Sequence, residues 1–410
     1  MTAGSWVALT AFGAIPFTLS SLHLSYTDAF FEAMSGITTT GATVINKLDK
    51  APPGILLWRG ELQWLGGLGV IVMAIAVLPI LKVGGMQLFK IEAFDTSGKI
   101  LPRATQISGA LSAVYVALTI ICAISYYLAG MSRFDAVVHA MTTIATGGMS
   151  NHDASLGHFD SLWIELICIF FMVLGSLPFL LYVRFLQGHP RALFRDAQVR
   201  GFFTIATMAT LLAWQAQATG GHEPGWLELR DAGFAVVSVM TGTGYTTVDY
   251  SKWSVFAVTL FFIVTFIGGC SGSTSCGIKV FRFQIIFVAL RNLARRMIYP
   301  NGIFPQRYNG NILSDSAVSS VMSFLFLFVL SFFAISAVLC FMGLDVLTAM
   351  SATATSMANV GPGLGDLIGP AGNFKVLSDP VKWVLSNAML LGRLEVFTIL
   401  VFILPSFWSV

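Results

Sequence analysis

Charge is scarce in this chain. Only 10% of its 410 residues are Asp, Glu, Lys or Arg, against about 25% in an ordinary soluble domain. With 56% hydrophobic residues and a mean hydropathy of +0.79, the composition excludes a soluble fold. No polar stretch is long enough to form a separate soluble domain, which excludes a sensor with its own signalling module. Cysteine is also sparse: Cys122, Cys168, Cys270, Cys276 and Cys340 form no CxxC pair. They read as small buried hydrophobes, not as a disulfide framework or thiolate metal site. The histidines (His23, His139, His152, His158, His189, His222) show no HExxH or other zinc spacing. Gly272 to Gly277 has the spacing of a phosphate-binding loop, but Ile278 stands where lysine is required. No nucleophile, base and orienting group fall together, so the chain is not expected to be an enzyme, to hold a resident cofactor or to bind nucleic acid. The opening residues carry no charged region or cleavage site, so a removed leader is not expected.

What is abundant is apolar length. About 20 apolar residues cross a hydrocarbon core. Eight stretches qualify: about 3–22, 62–81, 107–130, 161–186, 200–219, 254–284, 316–343 and 382–405. Between the members of each pair lies a segment with one repeated grammar. An aspartate opens it, an apolar run of about ten residues follows, and a Thr- or Asn-rich loop carries a central glycine. The aspartates are Asp28, Asp135, Asp231 and Asp345; the aligned glycines are Gly41, Gly147, Gly244 and Gly361, at gaps of 13, 12, 13 and 16 residues. An apolar run of ten residues cannot span, and reads as a half-crossing helix. The expected architecture is an all-α polytopic membrane protein. Four pseudo-repeats of helix, pore helix with filter loop, and helix (1–82, 83–188, 189–290 with a broken inner helix, 291–410) surround a central pore.

Charge placement sets the orientation. Of 23 Lys and Arg residues, 14 fall in the between-repeat connections 82–106, 184–200 and 279–307, whereas 15 of 20 acids fall within the repeats. The positive-inside rule puts the connections in the cytoplasm and lets the half-crossing segments enter from outside. An acidic outer mouth concentrates cations. An aspartate in the first helical turn meets unpaired amides and the positive dipole end, which leaves the negative end facing the membrane centre.

The loops supply the chemistry. A cation leaving water needs oxygens in place of its hydration shell, and backbone carbonyls offer them where glycine relieves the chain of steric limits. The candidate ion-binding residues are Thr39, Thr40 and Gly41; Ala145, Thr146 and Gly147; Thr243 and Gly244; and Asn359, Val360 and Gly361. Because the four loops differ, selection for K⁺ over Na⁺ is expected to be modest. His152-Asp153 follows the second loop as a shaper of the outer mouth or a solvated turn. The glycines of Trp64-Leu65-Gly66-Gly67-Leu68-Gly69 read as helix packing. Within 254–284, Gly268-Gly269-Cys270-Ser271-Gly272-Ser273-Thr274-Ser275-Cys276-Gly277 cannot stay helical, since each glycine costs about 1 kcal/mol. Gly268, Gly269, Gly272 and Gly277, followed by Lys279, form a candidate gate. Arg393 is a charge inside the last apolar stretch and therefore functional by default. Two residues from Glu395, it faces away from that acid and is expected toward the break as a closed-state latch.

With these motifs in view, the chain resembles the membrane subunit of bacterial Trk-type potassium uptake systems, within the Trk, Ktr and HKT superfamily. The likeness rests on DAFFEAMSGITTTGATV, VLPILKVGGMQLF, IATGGMSNHDAS, FIGGCSGSTSCGIKV, NVGPGLG and GRLEVFTILV. It implies potassium uptake across the bacterial inner membrane through a filter centred on Gly41, Gly147, Gly244 and Gly361. It also implies a gating loop at about 268–277, a pore-facing Arg393, a homodimer with one pore per protomer, and a cytosolic ring of nucleotide-binding regulatory subunits. The basic connections 82–106 and 279–307 would be their docking surface. Two departures stand out. Trk members usually carry two helices before the first repeat, which here starts at about residue 3. The break has Ser275-Cys276 where members more often show glycine. Na⁺ or mixed Na⁺/K⁺ passage, or ion-coupled K⁺ symport, is the alternative.

Overall fold

The computed structural model describes residues 2–76, 104–219 and 225–395. The connection expected over 82–106 lies almost wholly outside them, and His222, the VLPILKVGGMQLF motif (77–89) and positions 396–405 of the last expected span lie wholly outside. The described chain is helical apart from a small hairpin, Arg307–Tyr308 with Asn311–Ile312.

Each aspartate-led segment does form a short helix: Tyr26–Ile37, Arg133–Ile144, Trp226–Thr241 and Val346–Ala358. At 1.5 Å per residue these run about 18–24 Å, short of the ~30 Å core. The aspartates start them in different ways. Ser25 and Ser132 are the N-caps of the first two, accepting from the amides of Asp28 and Asp135. Asp345 is itself the cap of the fourth, accepting from Thr348 N at 3.0 Å. The third starts earlier than expected, at Trp226; Glu228 occupies its first turn and accepts from Gly225 N at 3.0 Å, while Asp231 sits a turn deeper.

The flanking helices are less uniform than the hydropathy suggests. Among the described residues, Gln106–Leu128 and Asp315–Phe341 are each long and apolar enough to cross a membrane unaided. The expected span 161–186 is two helices, Leu162–Ser176 and Phe179–Leu186, bent by 93°. Pro178 lies at that corner, where it lacks the amide a continuous helix needs. The expected span 254–284 stops at Thr265 and resumes at Val280, with the glycine-rich break between. The expected span 3–22 divides into Thr2–Gly13 and Ile15–Leu19, and 62–81 begins earlier, at Pro53.

Packing follows a cyclic rule, in which the helix after one short helix leans on the next short helix. Pro53–Ala76 packs on Arg133–Ile144, Leu162–Ser176 on Trp226–Thr241, Val255–Thr265 on Val346–Ala358, and Asp379–Arg393 on Tyr26–Ile37. Three seams carry ion pairs or charged hydrogen bonds: Arg59 to the Ser150 carbonyl at 2.7 Å, Arg230 to Glu165 at 3.3 Å, and Lys382 to Asp28 at 2.7 Å. The small-residue stripe serves packing as expected. A Cβ at Gly66 would lie 1.9 Å from the Ile37 carbonyl, so only glycine lets that helix seat against the end of the first short helix.

Candidate functional site: a ring of loops above a broken helix

The residues after the four short helices share one backbone path. The amides of Thr40, Gly147, Thr243 and Val360 each reach back to a helix carbonyl five residues earlier, those of Ser35, Thr142, Ser238 and Thr355. The residue on each side is left-handed: Thr39 and Gly41, Thr146 and Gly148, Gly242 and Gly244, Asn359 and Gly361, with φ from 50° to 108°. Three non-glycine residues therefore hold a conformation that L-residues disfavour, which is the mark of an over-determined functional segment. This register corrects the sequence alignment in the second loop. The counterpart of Gly41, Gly244 and Gly361 is Gly148, not Gly147, and the gap from Asp135 then becomes 13 residues.

The third position of each triplet makes a closed chain of contacts. A Cβ on Gly41 would lie 2.3 Å from the Gly147 carbonyl oxygen, and one on Gly148 1.8 Å from that of Thr243. One on Gly244 would lie 1.8 Å from the Val360 oxygen, and one on Gly361 2.8 Å from that of Thr40. First loop meets second, second third, third fourth, and fourth first. The four triplets therefore touch in a closed cycle, with a middle carbonyl at each seam. An open cavity of about 90 Å³ sits above them, lined by Gly41, Gly148, Gly244 and Gly361 and walled by His152, Arg59 and Phe374.

Buried side chains hold the loops, and of these sequence reasoning missed Glu32, Arg59, Gln63 and Tyr245. Glu32 is fully buried; it accepts from Arg59 Nε at 2.8 Å, Thr43 Oγ1 at 3.0 Å and the Val44 amide at 2.9 Å. Arg59 Nη1 then reaches the Ser150 carbonyl, so one buried ion pair fixes both the first and second loops. Gln63 donates to the Gly147 carbonyl at 2.6 Å and accepts from the Met149 amide at 3.0 Å. Tyr245 of the third loop reaches Thr142 Oγ1 at 2.5 Å and the His139 carbonyl at 3.3 Å. Asn359 Nδ2 ties the fourth loop to Thr40 Oγ1 at 2.8 Å and to the Met389 carbonyl at 3.0 Å. Glu32 and Arg59 are charges beside apolar runs, and that was the available signal. Ala145, the remaining predicted loop residue, is buried at the C-cap of the second short helix.

Below the ring lies the break. Cys270, Ser271, Ser273, Thr274, Ser275 and Cys276 are all buried. Their polar groups are matched one by one. The Cys270 amide donates to the Ser176 carbonyl at 2.9 Å, and Gly272 O accepts from Phe179 N at 2.9 Å. Thr274 Oγ1 donates to the carbonyls of Ile144 and Gly175 at 3.0 and 2.8 Å. Ser275 Oγ accepts from Gly269 N at 2.8 Å, and Gly268 N donates to the Ile278 carbonyl at 3.0 Å. Gly277 takes a left-handed turn, φ 71°. The break thus fills the corner made by the bend at Ser176–Phe179. Irregular backbone survives at such depth because protein surrounds it.

Arg393 ends the last helix among the described residues, Asp379–Arg393, and is 4% exposed. It donates to the Thr274 carbonyl at 3.2 Å, to Cys276 Sγ, and to the Gly66 carbonyl at 3.3 Å. Glu395 pairs with Arg282 at 2.5 Å instead, and Arg282 stacks 3.8 Å over the Phe324 ring. Lys279 donates to the Ser275 carbonyl. Cys276 Sγ also lies 3.7 Å from Thr39 Oγ1, so ring and break touch. All five cysteines are free.

Fold and geometry define a helical membrane protein of the transport class, which is not an enzyme class. The family profile described as TrkH, a cation transport protein, matches residues 1–220 and 223–409. The chain belongs to that family, as its motifs suggested. The Trk system potassium uptake protein TrkI of Halomonas elongata is 47% identical over 412 residues, spanning 100% of this chain and 83% of that protein. The Trk system potassium uptake protein TrkH of Escherichia coli is 38% identical over 411 residues, spanning 98% of this chain and 84% of its own. The crystal structure of the potassium transporter TrkH from Vibrio parahaemolyticus matches with a TM-score of 0.90 at 38% identity, over 99% of this chain and 84% of that one.

Proposed function

We propose that this chain conducts K⁺ inward across the bacterial inner membrane, through the ring of four loops and past the broken helix. The observation that carries the reading is the closed cycle of glycine-to-carbonyl contacts. Four middle carbonyls (Thr40, Gly147, Thr243, Val360) at the seams of one ring are the oxygens that replace a cation's water. The short helices end at this ring, and their C-terminal dipoles favour the ion there. Inward movement follows the membrane potential, worth about 2.3 kcal/mol per charge per 100 mV. The ring is unequal: the Gly147 carbonyl accepts from Gln63, and the second position varies among Thr, Gly and Val. Selection for K⁺ over Na⁺ is accordingly modest. Arg393 and Lys279, both donating to break carbonyls, latch the closed state, and Gly268, Gly269, Gly272 and Gly277 let the break move. The four repeats divide at about 82, 188 and 290. The protein acts as a homodimer with one pore per protomer. Nucleotide-binding subunits dock on its basic cytoplasmic face, to which Arg291, Arg295 and Arg296 contribute. The relatives' names, as potassium uptake proteins of Trk systems, support the ion and membership of a Trk system. Isotope flux into proteoliposomes, under K⁺ and Na⁺ gradients with and without a pH gradient, tests the proposal. Sodium flux equal to potassium flux, or uptake that requires the pH gradient, would replace it by mixed conduction or symport.

A further inference from the structure

Asp49, His152 and His158 bring a carboxylate and two imidazoles together at the outer rim of the cavity. One ligand atom from each lies within 4.8 Å of the others. The groups come from two repeats: Asp49 from the short turn after the first loop, both histidines from the segment after the second. His152 Nδ1 lies 2.6 Å from Asp49 Oδ1, and His158 Nδ1 lies 4.0 Å from the same oxygen. Asp49 is anchored from behind, since its other oxygen accepts from the Asp153 amide at 3.4 Å.

A second feature points to a ligand. The other nitrogen of His152, Nε2, is buried and makes no hydrogen bond. It lies 3.4 Å from Asp135 Oδ1, which Asn151 Nδ2 holds at 2.9 Å. A small closing of this 3.4 Å gap would make the carboxylate–imidazole hydrogen bond that orients a histidine toward a metal and raises its basicity. Nothing in cation conduction calls for that pairing.

We propose that Asp49, His152 and His158 bind a divalent transition cation of the Zn²⁺ class, and that this ion inhibits K⁺ uptake. The inhibitory half rests on the transport reading above. Two imidazoles and a carboxylate suit zinc, with water as a fourth ligand. Bond lengths near 2.0–2.1 Å at tetrahedral angles separate donor atoms by about 3.3 Å. His152 and Asp49 must therefore part slightly, and His158 must approach. The stacked imidazoles, 3.6 Å between centroids, must tilt apart so that both lone pairs reach the ion. His158 is 46% exposed and Asp49 44%, which leaves both free to adjust, whereas His152, at 16%, is the fixed member. Because His152 lines the cavity over the ring, a bound ion adds two positive charges there and repels incoming K⁺.

The test uses the full chain in detergent, titrated with Co²⁺ and read by its visible absorption, then displaced by Zn²⁺. One ion per chain is expected, with affinity falling about tenfold or more in His158→Ala, His152→Ala and Asp49→Asn. Binding that is absent, or unchanged in the His152→Ala/His158→Ala pair, overturns the site. In proteoliposomes, zinc should lower K⁺ flux about tenfold in the native chain. It should do so far less in His158→Ala, whose zinc-free flux stays native. Stoichiometric binding without inhibition overturns the inhibitory role. No K⁺ flux in zinc-free liposomes would contradict the transport reading instead, and the cobalt titration would still decide the site.

Discussion

Two regions of this molecule hold irregular backbone deep inside the protein, and they hold it by opposite means. The ring of loops is fixed by glycines that touch neighbouring carbonyls and by buried side chains behind them. No atom can be added at Gly148 or Gly244 without striking backbone 1.8 Å away. The break in the third repeat is fixed by hydroxyls and cations: Ser275, Thr274, Lys279 and Arg393 each satisfy groups that a helix would have paired. Contacts of the first kind change only if the ring is dismantled. Contacts of the second kind can be exchanged for water one at a time, each worth about 1 kcal/mol net for a hydroxyl and about 1.5–3 kcal/mol for a charged donor. On the proposed function, the ring stays put and selects, and the break moves.

The sharpest way to break this contrast is to add one methyl group to the ring. Gly148→Ala and Gly244→Ala should abolish selective uptake, since each forces a Cβ into backbone at a positive φ. Gly54→Ala, where nothing lies within 4 Å, should leave flux unchanged. The register can be sharpened in the same assay. The three atoms nearest a Cβ at Gly147 all belong to the Gln63 side chain, the first 2.4 Å away, so Gln63→Ala should partly rescue Gly147→Ala but never Gly148→Ala. Next in size is the tie behind the ring. Glu32→Gln or Arg59→Met alone strands a buried charge and should cost about 3–5 kcal/mol, read as a lowered unfolding temperature. The double variant should recover part of that loss. Stranding neither partner in the single variants would mean that Glu32 and Arg59 are not coupled.

Substitutions in the break should be milder in stability and larger in gating. Arg393→Ala should raise flux through the closed state, and Thr274→Val should do the same to a smaller degree, at about 1–2 kcal/mol for two lost bonds. Equal flux before and after Arg393→Ala would remove the latch. The smallest effect is acid sensitivity. The Asp49 carboxyl is lowered from its ordinary value chiefly by the His152 hydrogen bond, and that of Asp345 by the Thr348 amide. A lowered folded value means stability that is present above the ordinary carboxylate range and lost as pH falls through the lowered values. Unfolding measured from pH 6 down to about 2 should show that loss. Asp345→Asn should reduce its slope.

What the sequence showed and what it hid follow from range. Apolar runs of ten residues ending at glycine are local, so the four short helices could be read directly. Two adjacent glycines, Gly147 and Gly148, left the second loop ambiguous, because only the folded backbone, with Gly148 left-handed and against Thr243, separates them. The third helix start escaped notice because Glu228, not an aspartate, fills its first turn. The bend at Pro178 was masked by uninterrupted apolar composition on both sides. Glu32 with Arg59, and Gln63 with Gly147, act across 27 and 84 residues, a distance at which no periodicity connects them. Arg393 was legible as a charge inside an apolar stretch, but its separation from Glu395 has another cause than helical angle: the helix stops at Arg393 and Glu395 is left-handed, φ 53°. The partners of Arg393, Thr274 and Cys276, became visible only with the break folded into its corner.

The most direct measurement is the K⁺/Na⁺ flux ratio of the purified chain in proteoliposomes, compared with that of Gly244→Ser. Potassium should pass in preference to sodium in the native chain, and the preference should fall sharply in the variant. Identical ratios in a well-folded variant would show that the ring of loops is not where the ion is chosen.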